Sequence, residues 1–180
     1  MIADDIVGEG VLLTALGEQH VTDRYLRWMN DPRVTQYLES RYSPATLPGL
    51  ADYVRSMRES TDNYFFAIVD RQTGDHWGNV KLGPINSRHL SASVGIIIGE
   101  PSAWGRGVAT ETISLVTRWA FAEVGLAKLT AGSYTANQGS VRAFEKAGWI
   151  VEGRQASQVV LDDGTRGDTV VLGALPEGAA

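Results

Sequence analysis

The order of elements predicts a single α/β domain, α+β in arrangement, built on a mixed sheet. Three observations carry this. Short runs rich in β-branched and aromatic residues recur as strands. Helical stretches with one-sided apolar stripes stand between some of them. Compact turn signals join others directly, as hairpins. The resulting order is βααβββαβαββ, with no internal repeat and no linker.

Residues 10–16 (GVLLTAL) read as the first strand. His20 to Asn30 reads as a helix with Val21, Tyr25 and Trp28 along one side, ended by Asp31-Pro32. Ser43-Pro44 supplies an N-cap and first helical residue for a second helix, with Leu47, Leu50, Tyr53, Val54 and Met57 on one side. Tyr64 to Val69 is a strand, Arg71 to Asp75 a turn, and Trp77 to Ile85 the return strand, with Val80 and Leu82 alternating against Asn79, Lys81 and Gly83. Leu90 to Ile98 follows as a strand. A long helix runs from about Val108 to Glu123. It carries Ala109, Ile113, Val116 and Ala120 on one face, widened by Leu115 and Trp119; Phe121 lies off the stripe and needs a separate contact. Leu129 to Ser133 is a short strand. Asn137 to Ala147 is a helix capped by Asn137 and stopped at Gly148. Trp149–Val151 and Gln158–Leu161 form a bent strand, Asp162-Asp163-Gly164 turns the chain, and Asp168–Leu172 is the last strand. Residues 1–180 form one domain, with 175–180 a loose tail.

Composition narrows the function. The chain has 180 residues, 43% hydrophobic and 21% charged, enough for a sizeable core. It has no cysteine, which excludes disulfides, thiolate zinc sites and a cysteine nucleophile. Three scattered histidines without clustered carboxylates make no metal site. A net charge of −5 with no Lys/Arg run argues against nucleic acid as the main partner. The N-terminus has no secretory apolar region, and no run reaches the ~20 residues of a membrane span. These features predict a cytoplasmic protein with no membrane partner.

The chemistry concentrates between Val94 and Trp149. An apolar strand breaks at Gly99-Glu100-Pro101. A glycine turn, Trp104-Gly105-Arg106-Gly107, then opens the helix at Val108-Ala109-Thr110. Free amides and the helix dipole at such a point hold a pyrophosphate. A full Gly-x-Gly-x-x-Gly is missing, since position 110 is Thr, and no Gly-Lys-Ser/Thr occurs, so dinucleotide and P-loop readings fail.

Trp104 to Glu111, with Asn137-x-x-Ser140 and Phe144-Glu145-Lys146-x-Gly148-Trp149 downstream, resembles the GNAT N-acetyltransferases, in particular the ribosomal-protein N-terminal acetyltransferase branch. The likeness covers nearly the whole chain, and the N-terminal LRWMNDP is also similar to that branch. The common pyrophosphate motif, Gln/Arg-x-x-Gly-x-Gly/Ala, is met at Arg106-Gly107-Val108-Ala109, but its leading position is Trp104. The resemblance implies a central, mostly antiparallel twisted sheet of about seven strands flanked by about four helices. It implies a splay of that sheet at the strand before the glycine turn. It implies acetyl-CoA as co-substrate and direct attack of a primary amine on the thioester in a ternary complex.

By that resemblance, Ile97, Ile98 and Gly99 pair with the pantetheine arm. The backbone of Gly105, Arg106, Gly107, Val108, Ala109 and Thr110 holds the pyrophosphate, and Asn137, Ser140 and Lys146 contact the cofactor. Many relatives place a tyrosine acid where this chain has Phe144. The catalytic candidates are therefore Ser140 or Tyr134 as proton donor and Glu100 as base, directly or through water, with a backbone amide of residues 95–99 for the oxyanion. Glu111 reads as structural, stabilised by the helix dipole. His76 and His89 flank the hairpin and are candidates to hold or deprotonate the acceptor. Trp28, Tyr37, Tyr42, Tyr64 and Trp77 are core aromatics or stacking surfaces for a sugar or base. Gly78 to Ile85 resembles acetyltransferases acting on amino sugars, which makes a nucleotide-linked amino sugar one acceptor. A protein α-amine, a polyamine or an antibiotic amine are the others, and a non-catalytic acetyl-CoA-binding module is the reading from another class. A homodimer through the last hairpin fits the family.

Overall fold

A computed structural model describes residues 1–178. Eight strands form one sheet. They are β1 (Ile6–Val7), β2 (Val11–Ala15), β3 (Tyr64–Asp70), β4 (His76–Asn86), β5 (Ser91–Ile98), β6 (Lys128–Tyr134), β7 (Ile150–Val160) and β8 (Arg166–Ala174). Their spatial order is β1-β2-β3-β4-β5-β6-β8-β7. Every neighbouring pair is antiparallel except β5–β6, which is parallel. That exception follows from the connection: a long helix carries the chain from the end of β5 back to the start of β6. The helices are α1 (Asp23–Met29), α2 (Pro32–Thr35), α3 (Leu47–Glu59), α4 (Val108–Ala122) and α5 (Gln138–Lys146).

The alternation of side chains along the strands builds two cores. Phe66 and Ile68 of β3 join Val80, Leu82, Val94, Leu129 and Leu172 under α4 and α5. Ala67, between them in sequence, faces the other way, under Tyr25 and Trp28 of α1 and Leu50 and Val54 of α3. Ile113, Val116 and Ala120 of α4 are fully buried, as their spacing requires. Phe121 finds its contact at the margin of the larger core.

The boundaries differ from the sequence reading at several places. The strand Ile6–Val7 pairs with Leu12 and Leu13 but is too short to show periodicity. The helix expected over 20–30 is split: residues 18–20 form a 3₁₀ turn, and Thr22 then caps α1 by accepting the Tyr25 amide. Asp31-Pro32 ends α1 as expected and also opens α2, because the Asp31 carboxylate accepts the Arg33 amide at 2.9 Å. α3 starts at Leu47, not Pro44, because Thr46 accepts the Gly49 amide at 3.2 Å and caps there. The bent strand β7 is continuous, with register shifts between Val151 and Gly153 and between Gln155 and Val159. Of the expected loose tail, residues 179–180 lie outside the described residues, and Leu175 is half exposed.

Beneath α1, His76 packs edge-on against Trp28, Tyr25 and His20, at ring separations of 4.9, 6.0 and 5.2 Å. Its Nε2–H faces two acceptors, the Gly78 carbonyl at 2.9 Å and Asn79 Oδ1 at 2.8 Å, while Nδ1 is buried without a partner. Desolvation lowers its pKa to about 4 from the ordinary 6.5. Between these values the unfolded chain binds the proton and the folded chain does not, so stability is lost as pH falls through that window. Urea unfolding at pH 7 and pH 5 should therefore show a loss of about 2 kcal/mol that is missing from His76→Gln.

Candidate active site

The site is made where β5 and β6 part. They share three residue pairs, Ser91, Ala92 and Ser93 with Lys128, Leu129 and Thr130. Beyond these, β5 keeps its pairing to β4 as far as Ile98, while β6 follows β8 as far as Tyr134. The Gly99 amide donates to the Trp77 carbonyl of β4 at 2.9 Å. By alternation, Gly95 and Ile97 also bond toward β4, and Val94, Ile96 and Ile98 present their amides and carbonyls to the cleft. The Ile98 carbonyl is taken by the Trp104 indole N–H at 2.8 Å. The opening thus begins after Ser93, within the strand before the glycine turn.

A cavity of about 510 Å³ fills the gap. Its walls are β5 (Ile96–Ile98), the glycine turn, the first turn of α4, one face of α5 and the segment from Arg33 to Leu38. Gly105 and Gly107 have φ of 71° and 84°, and a Cβ on either would meet no protein atom within 4 Å. Their conformation requires glycine, and the space beside them is open. Gly107 is the N-cap of α4 and supplies no side chain to its first turn, so the Val108, Ala109 and Thr110 amides lack an intrahelical partner. On α5, Asn137 Oδ1 accepts the Ser140 amide at 3.2 Å and orients the helix start. Arg142 and Lys146, one turn apart, face the cavity and form no ion pair among the described residues. This donor set fits a pyrophosphate carried on an arm that can pair with a strand edge.

Of the residues expected at the cofactor, Ile97, Ile98, Gly105, Gly107, Val108, Ala109, Thr110, Asn137, Ser140 and Lys146 meet in this cavity. Gly99 does not. It is buried against α1, where a Cβ would lie 2.2 Å from the Trp28 ring. Arg106 turns into a neighbouring cleft and lies over Trp77, 5.0 Å from the ring centroid. Glu100 is also outside: its carboxylate caps the 3₁₀ turn Pro101–Ala103, accepting from the Ser102 hydroxyl at 3.2 Å. Tyr134 is 8% exposed and does not line the cavity; its hydroxyl donates to Glu39 at 2.5 Å and accepts from Arg41 at 3.1 Å. Only Ser140 of the catalytic candidates reaches the cavity.

His76 is half-buried beneath α1 and outside the cavity wall, and His89 is exposed in the β4–β5 turn. Glu111 is structural: its Oε1 accepts the Gly10 amide at 2.9 Å and ties α4 to β2. Trp28 and Trp77 are core, and Tyr64 packs on Trp119 at 4.8 Å. Tyr42 is 64% exposed, which leaves Tyr37 as the aromatic of that group in the cavity wall. Sequence reasoning missed Arg33 and Arg142. The i, i+4 spacing of Arg142 with Lys146 was the available signal for the second; nothing in the sequence marked the first.

The acetyltransferase (GNAT) domain family matches residues 11–150, a span that takes in the splayed pair and the glycine-capped helix. The chain belongs to the GNAT family and is an N-acetyltransferase. It is 27% identical over 163 residues to the N-acetyltransferase YoaA of Bacillus subtilis, covering 89% of this chain and 90% of that one. It is 26% identical over 155 residues to alpha/beta-tubulin-N-acetyltransferase 9 of Homo sapiens, covering 78% and 72%. Its fold matches the crystal structure of spermidine N-acetyltransferase from Vibrio cholerae in complex with CoA and spermine, with a TM-score of 0.84 at 22% identity, over 96% of this chain and 99% of that one. Among the described residues, no helix is long and apolar enough to cross a membrane, and no group of three or more His, Cys, Asp or Glu is placed to hold a metal.

The contact of Gly99 with Trp28 makes a stability prediction independent of ligand. Gly99→Ala should cost about 1–3 kcal/mol in urea unfolding, because neither the strand end nor the buried indole can give way freely.

Proposed function

We propose that this chain moves an acetyl group from acetyl-CoA to a primary amine borne by an anionic molecule, a nucleotide-linked amino sugar. The observation that carries the reading is the charge of the cavity wall. It holds Arg33, Arg142 and Lys146 and no carboxylate; Arg142 and Lys146 serve the cofactor, and Arg33, paired with Asp31 at 2.6 Å just outside the wall, is the cation on the acceptor side. A polycation finds no counter-charge there, whereas an anionic group does.

In this reading the Val108, Ala109 and Thr110 amides, the glycine turn and the Arg142–Lys146 face hold the pyrophosphate. The free edge of β5 takes the pantetheine arm. A cleft-facing amide of Ile96 or Ile98 stabilises the oxyanion as the amine attacks. Arg33, on the opposite wall, pairs with Asp31 through Nε and Nη2 and offers Nη1 to the acceptor's anionic group. A protein α-amine is the second reading. It is favoured by the resemblance of Trp104–Glu111 to the ribosomal-protein branch and by the tubulin acceptor in the name of the Homo sapiens relative.

Thiol release from acetyl-CoA with a UDP-linked amino sugar, a peptide with a free N-terminus and spermidine separates these acceptors. The expected order puts the sugar at least tenfold above spermidine in kcat/KM; a preference for spermidine overturns the charge argument. Replacing Arg142 and Lys146 together by Ala should weaken CoA binding by about tenfold or more and flatten its salt dependence, measured by calorimetric titration. Unchanged affinity would remove that face from the cofactor site.

A further inference from the structure

Acyl transfer leaves a thiolate, and the helix position where a relative's tyrosine would protonate it is Phe144. That ring is 2% exposed and packed edge-on against Trp149, 4.8 Å between centroids, with no proton to give. The wall opposite α5 carries one. We infer that the Tyr37 hydroxyl protonates the departing CoA sulfur.

Tyr37 lies just past α2 and lines the cavity together with Asn137 and Ser140. Its hydroxyl is 3.4 Å from the Ala136 carbonyl, the residue before the Asn137 cap. That bond is long, so turning the proton toward a new acceptor in the cavity costs little. The ring is only partly exposed and rests edge-on against Tyr134 at 5.7 Å. Tyr134 is in turn held by Glu39 and Arg41, and Arg41 is anchored to Asp162 at 3.1 Å and to the Val160 carbonyl at 3.0 Å. The phenol is therefore positioned by a network that reaches from the α2–α3 connection to the β7–β8 turn. Of the two proton donors expected from the sequence, Tyr134 is engaged in that network, while Ser140 reaches the cavity and is tested beside Tyr37.

The chemistry suits a phenol, whose proton affinity lies between those of a thiolate and an alkylamine. The amine lone pair forms the C–N bond, and the carbonyl π pair moves to oxygen. As the carbonyl re-forms, the C–S bond breaks with its pair on sulfur, and sulfur takes the Tyr37 proton. The phenolate regains a proton through water from the acylated nitrogen. The sum is amine plus thioester to amide plus thiol, with no further reactant.

This inference rests on acetyl transfer in this cavity, so binding and chemistry are measured separately. CoA is titrated into wild type, Tyr37→Phe and Ser140→Ala. Thiol release from acetyl-CoA is then followed in single turnovers with enzyme in excess, with water alone and with the UDP-linked amino sugar. Tyr37→Phe should bind CoA as wild type does and release thiol about 100-fold more slowly. 3-Fluorotyrosine at position 37 should restore the rate and move the alkaline limb of the pH profile to lower pH, which a packing role would not do. Equal release rates in wild type and Tyr37→Phe, or a loss confined to Ser140→Ala, overturn the role of Tyr37 while leaving the cavity as the cofactor site. Failure of wild type to bind CoA overturns the cavity reading itself.

Discussion

The separation of β5 from β6 is the constraint on which the site depends. Two parallel strands that have begun to pair gain by continuing, so something must hold each to its other neighbour. The end of β5 is held to β4: the amides of Gly99 and Glu100 both donate to the Trp77 carbonyl, at 2.9 and 3.0 Å. Trp28 presses on Gly99 where any side chain would collide, and the Trp104 indole takes a carbonyl that β6 would otherwise use. β6 meanwhile runs its full length against β8. The result is a strand edge with donors and acceptors that are free for a ligand to pair with.

Around that edge the chain places groups that cost stability unless something binds. The two left-handed glycines, the uncapped first turn of α4 and the adjacent cations Arg142 and Lys146 all leave polar or charged capacity turned toward one space. The macrodipole of a 15-residue helix adds to this, by about 0.3–1 kcal/mol for an anion at its start. These elements come from both sides of the splay, so the parting of the strands and the anion site are one construction.

The opposite wall is built differently. The connection between α1 and α3 packs Val34 and Ala45 against the smaller core and is held further by polar contacts. Asn30 bridges to Ala45, donating to its carbonyl at 3.1 Å and accepting its amide at 3.0 Å. Arg41 spans from Leu38 to Asp162 with its side chain only 7% exposed. This wall faces the acceptor in the proposed reaction, and its dependence on a few charged bonds makes it the part of the molecule most easily altered without disturbing the sheet.

Periodicity carried much of the fold: the Ile113–Val116–Ala120 stripe and the alternation of β3 are burial patterns written directly into residue order. The glycine turn and the Asn137–Ser140 pair were equally legible, because a left-handed φ and a helix cap each demand particular residue types at particular spacings. The two-residue strand β1 and the caps at Thr22 and Thr46 were not, since one hydrogen bond decides each and neighbouring residues offer the same chemistry. Tertiary structure alone decided the side-chain roles. Glu100, Arg106, Tyr134 and Gly99 all lie in or next to the motif-bearing stretches, yet each is turned to a cap, a stacking contact, a buried network or a packed indole. Tyr37, 99 residues from Ala136 in the chain, reaches the cavity because α2 and its following segment fold over the splay. Spacing along the chain fixes which residues share an element; which of them share a space depends on contacts between elements distant in sequence, and no local pattern encodes those.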